Sequence, residues 1–421
     1  AGPLRRMGRS AGEPKRPRSL WRNLWRNRVR TLLSSLVIAL GLAALVFVDG
    51  LMEGMTVNMV KNATETFLGH AQLHRMGFRD EMDIKRTIVE LDERLRLLQK
   101  HPDLEHWSAR VVSQGMLSSS GGAEPVLVLG VDPQQERHLS KFDEGLREGR
   151  YLESTEPREV MLGSKLAEKL KLQLGDRMVL TAIDAKTEEM AQELFRLGGI
   201  FHMGARVMDA SMVLAPLLTV QKMLLLDDQV HEVALRFSKL DSNGFPINPA
   251  VLPEVDTENE LKLWSELMPA LNIMKEWSGV SMSIISFILF FIIGLGITNT
   301  LLMGLYERMF ELGVIKSLGT TPWQATRLMF YEAACLGLFS VLFGLALSVL
   351  IMVLFAKVGI DYTGIEFSGV TFQEKIYPSL RWERLVQYPF WTFGFTMVAS
   401  LYPSWKLFRM MPVEALRKRK F

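Results

Sequence analysis

Four stretches of this 421-residue chain carry no charged side chain: Thr31–Val48, Ser278–Tyr306, Ala333–Ala356 and Leu385–Trp405. A helix rises about 1.5 Å per residue, so roughly 20 residues cross a hydrocarbon core of about 30 Å. The last three stretches meet that length. The first is short, but it places Asp49 at an outer boundary and not in mid-membrane. Four transmembrane helices are therefore predicted, over 31–53, 278–306, 329–356 and 385–405. The first does not read as a cleavable signal peptide, because its helical pattern continues through Leu51, Met52 and Met55. A hydrophobic fraction of 48% and a mean hydropathy of +0.13 also lean away from a soluble enzyme.

Charge sets the expected orientation. Residues 1–30 hold ten Lys and Arg against one acid, Glu13, and the tail 406–421 holds six basic residues. The bias of basic residues toward the cytoplasm puts both termini inside. Residues 54–276 then form an outer, periplasmic domain, 307–328 an inner connector, and 357–384 a second outer loop. The basic ends are accounted for by topology and anionic lipid, with no need of nucleic acid. In "LWRNLWRNRVR" (20–30), Trp21 and Trp25 share one helical face and Arg22 and Arg26 another, which suits an amphipathic helix in the headgroup layer. Contact with a cytoplasmic partner is the alternative for this segment. The single cysteine, Cys335, allows no internal disulfide, so the outer domain folds by its core alone.

The outer domain reads as mixed α+β. "VVSQGMLSSSGGAEPVLVLGVD" predicts two strands around a Ser/Gly turn. "EVMLGSKLAEKLKLQLGDRMVLTA" predicts strand, helix, turn, strand, with Ser164 as N-cap. "SMVLAPLLTVQKMLLL" predicts a strand to Pro216 and then a helix. "EVALRF" predicts a half-buried strand with Val233, Leu235 and Phe237 inward and Glu232, Ala234 and Arg236 outward. Beyond a Pro-rich linker, Thr257-Glu258-Asn259-Glu260 reads as a capping box that opens a helix toward the second span. With the outward continuation of the first span, this gives the domain two helical stalks. Met52 and Met55 on the first stalk are either packing residues or part of a substrate cavity.

Small residues recur every fourth position in the second and third spans: Gly296, Thr300 and Gly304, then Ser340, Gly344 and Ser348. This spacing predicts close helix packing in lipid, within the chain or with another. Hydrolytic chemistry is not legible. "GIFHMGAR" has Ala-Arg where a phosphate-binding loop needs Lys-Ser/Thr, and neither G-x-S-x-G nor H-E-x-x-H occurs. His70 and His74 share a face, but two ligands do not make a metal site, and a surface strand is the simpler expectation. Asp49 and Glu53 lie one helical turn apart and mark either an outer boundary or a functional acid pair. Glu332 is expected at the interface or paired with Arg327.

The connector "YERMFELGVIKSLGTTPWQATRL" (306–328) is more elaborate than a link between two spans requires. The charged helix is predicted to continue through Glu307, Arg308, Glu311 and Lys316 and to stop at Gly319. Thr321 caps a new short helix, Pro322 suits its first position, and Trp323, Gln324 and Arg327 lie along it. Trp323 needs a pocket. With no ATPase motif here, that pocket belongs on a separate ATPase, unless the helix simply lies on the membrane.

"ERMFELGVIKSLGTTPWQATRLMFYEA", "RNLWRNRVRTLLSSLVIALGLA" and the ending "MPVEALRKR" resemble the permeases of the MacB/FtsX-like, type VII ABC transporters. "VLGVDP", "VMLGSKLAEKLKLQLGDRMVL" and "GGIFHMGARVMDASMVLAPLLTVQKMLLL" are similar to the lipoprotein-releasing, Lol-type branch. The resemblance implies an α-helical membrane protein with four transmembrane helices and a large mixed α+β periplasmic domain between the first two. It implies an inner-membrane location, a second permease subunit and a pair of cytoplasmic ATPase subunits that hold ATP and Mg, with no cofactor on this chain. It maps the coupling helix onto Thr321–Arg327. It implies mechanical transmission, with lipoprotein cargo passed to a periplasmic carrier, or MacB-like efflux with an adaptor. FtsX-like control of cell-wall hydrolases is a further alternative, although this outer domain is larger than such an activator needs.

Overall fold

The computed structural model describes residues 28–241, 244–247, 258–367, 370–371 and 375–411. Trp21, Arg22, Trp25 and Arg26 of the expected interfacial helix, and the basic ending beyond Met411, lie outside the described residues. The chain divides into two compact units. Of the described residues, one unit holds those within Glu53–Ser278 and Gly359–Tyr377; the other holds those up to Met52, those of Gly279–Val358 and those from Pro378 onward.

Helix α1 (Arg28–Ala63) leads into a π-helical turn at Thr64–Leu68. There follow β1 (Ala71–Arg75), α2 (Leu91–Gln99), β2 (Leu104–Ser119), β3 (Gly122–Val131), α3 (Pro133–Leu139), β4 (Leu146–Gly149), β5 (Glu159–Gly163), α4 (Ser164–Lys169), β6 (Arg177–Ile183) and β7 (Met190–Phe201). Then come β8 (Met212–Pro216), α5 (Leu217–Met223), β9 (Glu232–Phe237) and β10 (Asn259–Leu263). The hairpin β2–β3, the β5–α4–turn–β6 segment and the β8–α5 junction after Pro216 match the sequence expectations.

The pairings add what the sequence does not show. β2 is long enough to pair β9 with its first half and β6 with its second. Because β6 pairs β7, β7 pairs β5, β5 pairs β8 and β8 pairs β3, six strands close on themselves. Alternating residues fill this ring, among them Leu117, Val128, Val160, Leu180, Phe195 and Val213. Closure removes the exposed edges of these strands, and β9, β1 and β10 extend the sheet beyond the ring.

Four expectations in this unit are corrected. Asn259–Leu263 forms an antiparallel strand on β1, not the start of a helix, and Thr257 lies outside the described residues. The Asn259 side chain accepts from Val89 N–H and donates to Val89 C=O, each at 3.1 Å, so tertiary pairing overrides the capping pattern. The stalk helix, α6 (Pro269–Glu307), starts later. His70 and His74 are buried, since β1 lies between β9 and β10 and is not a surface strand. Glu232 and Ala234 of β9 are also fully buried, because β9 is covered on both faces. At α4, the residue before the helix is Gly163, and the Ser164 hydroxyl instead meets His202 Nδ1 at 3.0 Å.

In the other unit α1 packs with α6 and with α8 (Pro322–Val358), which follows the connector helix α7 (Met309–Ser317). α9 (Trp382–Ala399) and α10 (Leu401–Arg409) complete it. Among the described residues, three helices are long and apolar enough to cross a membrane: those running from Leu32, Pro269 and Pro322. The fourth charge-free stretch is split at Ser400 into α9 and α10. The four-residue small-side-chain pattern works largely within the chain. Ser34 Oγ lies 2.8 Å from Thr300 Oγ1 between α1 and α6. Gly296 faces Val37. Ser340 and Ser348 are buried and return their hydroxyls to Leu336 and Gly344 carbonyls. A Cβ on Gly344 would stand 2.9 Å from Ala39 Cα. Gly344→Val is therefore expected to push α8 from α1 and to cost about 1–3 kcal/mol, read as a lower midpoint in thermal unfolding of the detergent-solubilised chain.

Asp49 Oδ2 lies 3.6 Å from Arg384 Nε at the start of α9. Met52 is 40% exposed on α1 and Met55 partly buried, and neither belongs to a described cavity.

Candidate coupling site

Helix α6 ends at Glu307 because Arg308 leaves helical geometry, at φ −100° and ψ 8°. The charged helix thus breaks at Arg308 and resumes as α7, in place of the one continuous helix that the sequence predicts. The Arg308 guanidinium reaches both carboxylate oxygens of Glu332 on α8, at 3.2 and 3.3 Å. Glu332 therefore pairs with Arg308, and Arg327 turns instead to the hydroxyl of Tyr331, one turn along its own helix. Beside the Arg308–Glu332 pair lies a small cavity of about 60 Å³ lined by Thr300, Gly304, Leu305 and Met329 among others.

At its other end α7 is held by Lys316. This side chain is buried, and its ammonium donates to the carbonyls of Leu407 at 2.7 Å, Phe408 at 3.4 Å and Met410 at 3.0 Å. These carbonyls lie at the C-terminal end of α10, where a cation is favoured, and that of Leu407 also accepts from Met410 N–H at 3.3 Å. Burial pushes the Lys316 ammonium below its ordinary pKa. The connector is thus pinned to α8 by Arg308 and to α10 by Lys316.

Between the pins is an exposed tip. Gly319 takes φ +103°, a left-handed value that glycine adopts without strain, and this ends α7. Thr321 and Gln324 then form a reciprocal cap. Thr321 N–H donates to Gln324 Oε1 at 3.1 Å, and Gln324 N–H donates to Thr321 Oγ1 at 3.4 Å. Pro322 is the first helical residue. Leu318 is 81% exposed and Trp323 69% exposed. Glu307 and Glu311 are exposed on the preceding segment. The expected short helix over Thr321–Arg327 is the first turns of α8 itself, continuous to Val358. Anything bound at the tip therefore acts on a helix of 37 residues.

A second cluster, in the outer unit, has no counterpart in the sequence reading. Arg110 on β2 is fully buried and donates to Glu136 on α3 at 2.7 and 2.9 Å, to Glu232 on β9 at 2.7 Å, and to the carbonyl of Phe67 at 2.8 Å. Its guanidinium also stacks over the Phe67 ring at 4.6 Å. The last two contacts fasten the π-helical turn after α1 to the sheet. Burial alone would raise the Glu232 carboxyl, but the His74 contact at 3.4 Å and the Arg110 charge hold it at about 2. The isolated "R" in a strand-like run and "E" in a short helix gave no periodic signal that they would meet.

His70 supplies a pH expectation for this unit. Burial, reinforced by Arg236, lowers its pKa to about 4, and its Nδ1 accepts from Phe237 N–H at 3.0 Å. The unfolded chain binds that proton near pH 6.5 while the folded chain resists it. Stability is therefore complete above pH 6.5 and falls as pH drops toward 4, by at most roughly 3 kcal/mol. Urea unfolding across that window checks it, and His70→Gln is expected to flatten the slope.

Membrane-spanning helices joined by a clamped connector, with a large mixed domain inserted between the first two, are the architecture of a permease subunit. The FtsX-like permease C-terminal family matches residues 283–412, which include the connector, and the MacB-like periplasmic core domain matches residues 31–243. The chain belongs to this family of MacB/FtsX-like ABC-transporter permeases. It is similar to the lipoprotein-releasing system transmembrane protein LolC of Xylella fastidiosa, at 21% identity over 70% of this chain and 73% of that protein. LolC of Neisseria meningitidis is similar at 22% over 90% of this chain and 91% of that protein. The periplasmic region of MacB from Actinobacillus actinomycetemcomitans aligns with 50% of this chain and 92% of its own length, at 14% identity and a TM-score of 0.33. None of these proteins reaches 30% identity with the chain.

Proposed function

We propose that the chain is the membrane subunit of an ATP-driven machine that extracts lipoproteins from the inner membrane for delivery toward the outer membrane. The exposed, capped Thr321–Gln324 tip bearing Trp323 carries this reading. A bulky aromatic held at 69% exposure by a rigid turn suits a socket on another protein. The socket belongs to a cytoplasmic ATPase subunit, which holds ATP and Mg. Two such ATPases work with two permease subunits, of the same or a related chain. Helix α9 serves as the fourth span, both termini lie in the cytoplasm, and the outer unit lies in the periplasm.

In this reading ATP-driven closure moves the tip, and the Arg308 and Lys316 pins carry that motion into α8 and α10. Helices α1 and α6, which contribute residues to both units, carry it outward. Cargo enters beside α1, where Met52 and Met55 supply soft apolar contacts. Lipoprotein as cargo is supported by the similarity to proteins named as lipoprotein-releasing, and a periplasmic carrier receives it. The test is reconstitution of the chain with its co-purifying ATPase in proteoliposomes preloaded with a triacylated lipoprotein. ATP-dependent transfer of that lipoprotein to a soluble carrier is expected. ATP hydrolysis with the lipoprotein retained in the bilayer would refute the cargo assignment.

A further inference from the structure

Helix α10 buries one side against the protein, through Pro403, Ser404 and Leu407. Its opposite side is exposed and divided by chemistry. Leu401, Trp405 and Phe408 form an apolar arc, 53%, 51% and 47% exposed. Tyr402, Lys406 and Arg409 form the adjoining edge, which follows from the 100° step of the helix. Such a helix, apolar on one arc and aromatic and basic on the next, suits the plane of a lipid headgroup layer.

The two cations are positioned on aromatic rings. Lys406 hydrogen-bonds to the hydroxyl of Tyr306, the penultimate residue of α6, with its ammonium 4.7 Å from the ring centre. The Arg409 guanidinium lies 4.4 Å from the centre of the Trp405 ring. Neither Lys406 nor Arg409 has an acidic partner among the described residues. Because Tyr306 accepts from Lys406, its own hydroxyl hydrogen is left to donate outward. A phenol, an ammonium with spare N–H groups and a guanidinium, set beside an apolar arc, match a phosphodiester attached to acyl chains.

We propose that α10 and Tyr306 form a binding site for anionic phospholipid, with Lys406, Arg409 and Tyr306 on the headgroup phosphate and Leu401, Trp405 and Phe408 against its acyl chains. The occupant is a lipid of the bilayer surface. Free phosphate would satisfy the cations but leave the apolar arc in water. The site adds a lipid requirement to the end of the molecule where Lys316 grips the C-terminus of the same helix.

The test uses the full chain in vesicles of phosphatidylcholine and phosphatidylglycerol, with one lipid brominated at a time. Trp405→Phe isolates the fluorescence of Trp405 from that of the other tryptophans. With two cations at the surface, brominated phosphatidylglycerol is expected to enrich around Trp405 by about tenfold over brominated phosphatidylcholine at equal mole fraction. Lys406→Gln with Arg409→Gln removes that preference while quenching by phosphatidylcholine persists. Equal quenching by the two lipids in the unmutated chain overturns the proposal. So does quenching of Trp405 by neither lipid, or a preference that survives the double substitution. No ATPase or cargo takes part, so this outcome is independent of the proposed function.

Discussion

Arg110→Ala is expected to be the most damaging single substitution in the outer unit. It strips Glu136 and Glu232 of their shared cation while both remain fully buried. It also frees the carbonyl of Phe67. Breaking a buried ion pair from one side costs about 3–5 kcal/mol, because an uncompensated charge stays behind. A domain whose whole stability is of order 5–15 kcal/mol loses much of its margin. Urea unfolding of the full chain in detergent, followed by the near-ultraviolet signal of the outer domain, reads the loss as a lower midpoint. Arg110→Lys should recover little, since one ammonium cannot reproduce the forked donation to two carboxylates and a carbonyl. Full stability in Arg110→Ala would show that the cluster is hydrated and not buried.

Lys316→Met is expected to damage work more than folding. Methionine fills the space of the lysine stem, but the carbonyls of Leu407, Phe408 and Met410 lose their shared donor. Leu407 C=O keeps Met410 N–H, and Phe408 and Met410 are exposed and half-buried, so the loss stays at about 1–3 kcal/mol. That leaves a folded protein whose connector is no longer pinned to α10. Cargo released per ATP hydrolysed should then fall by about tenfold, equivalent to about 1.4 kcal/mol of lost coupling, while ATP hydrolysis continues. Lys316→Arg keeps a charged donor at the helix end and should restore much of the ratio. If release and hydrolysis fall together in Lys316→Met, the pin is a folding element only.

Much of the fold was legible because it depends on local rules. Charge-free length marked three of the helices, and alternation with Gly and Pro marked β2, β3, β5, β6 and β8. The connector was legible for the same reason: Gly319, Thr321, Pro322 and Gln324 occupy positions that local backbone geometry assigns to them. What escaped depends on tertiary partners. The helix pattern at Asn259 gave way to pairing with β1, and the polar face of β9 proved to be an interior one because Arg110 and α3 cover it. The break at Arg308 has no Gly or Pro to announce it, and its partner Glu332 is 24 residues away. Lys316 read as one charge along the charged connector helix, since the helix end it caps lies about 90 residues further along the chain.

The central claim is that Trp323 and its capped turn engage an ATPase that is not part of this chain. The most direct measurement purifies the full chain from native membranes, with and without Trp323→Ala, identifies what accompanies it and assays ATP hydrolysis. A separate ATPase is expected to accompany the unmutated chain and to be lost, or to hydrolyse ATP without response to the permease, with Trp323→Ala. Absence of any ATPase from preparations of the unmutated chain would contradict that claim.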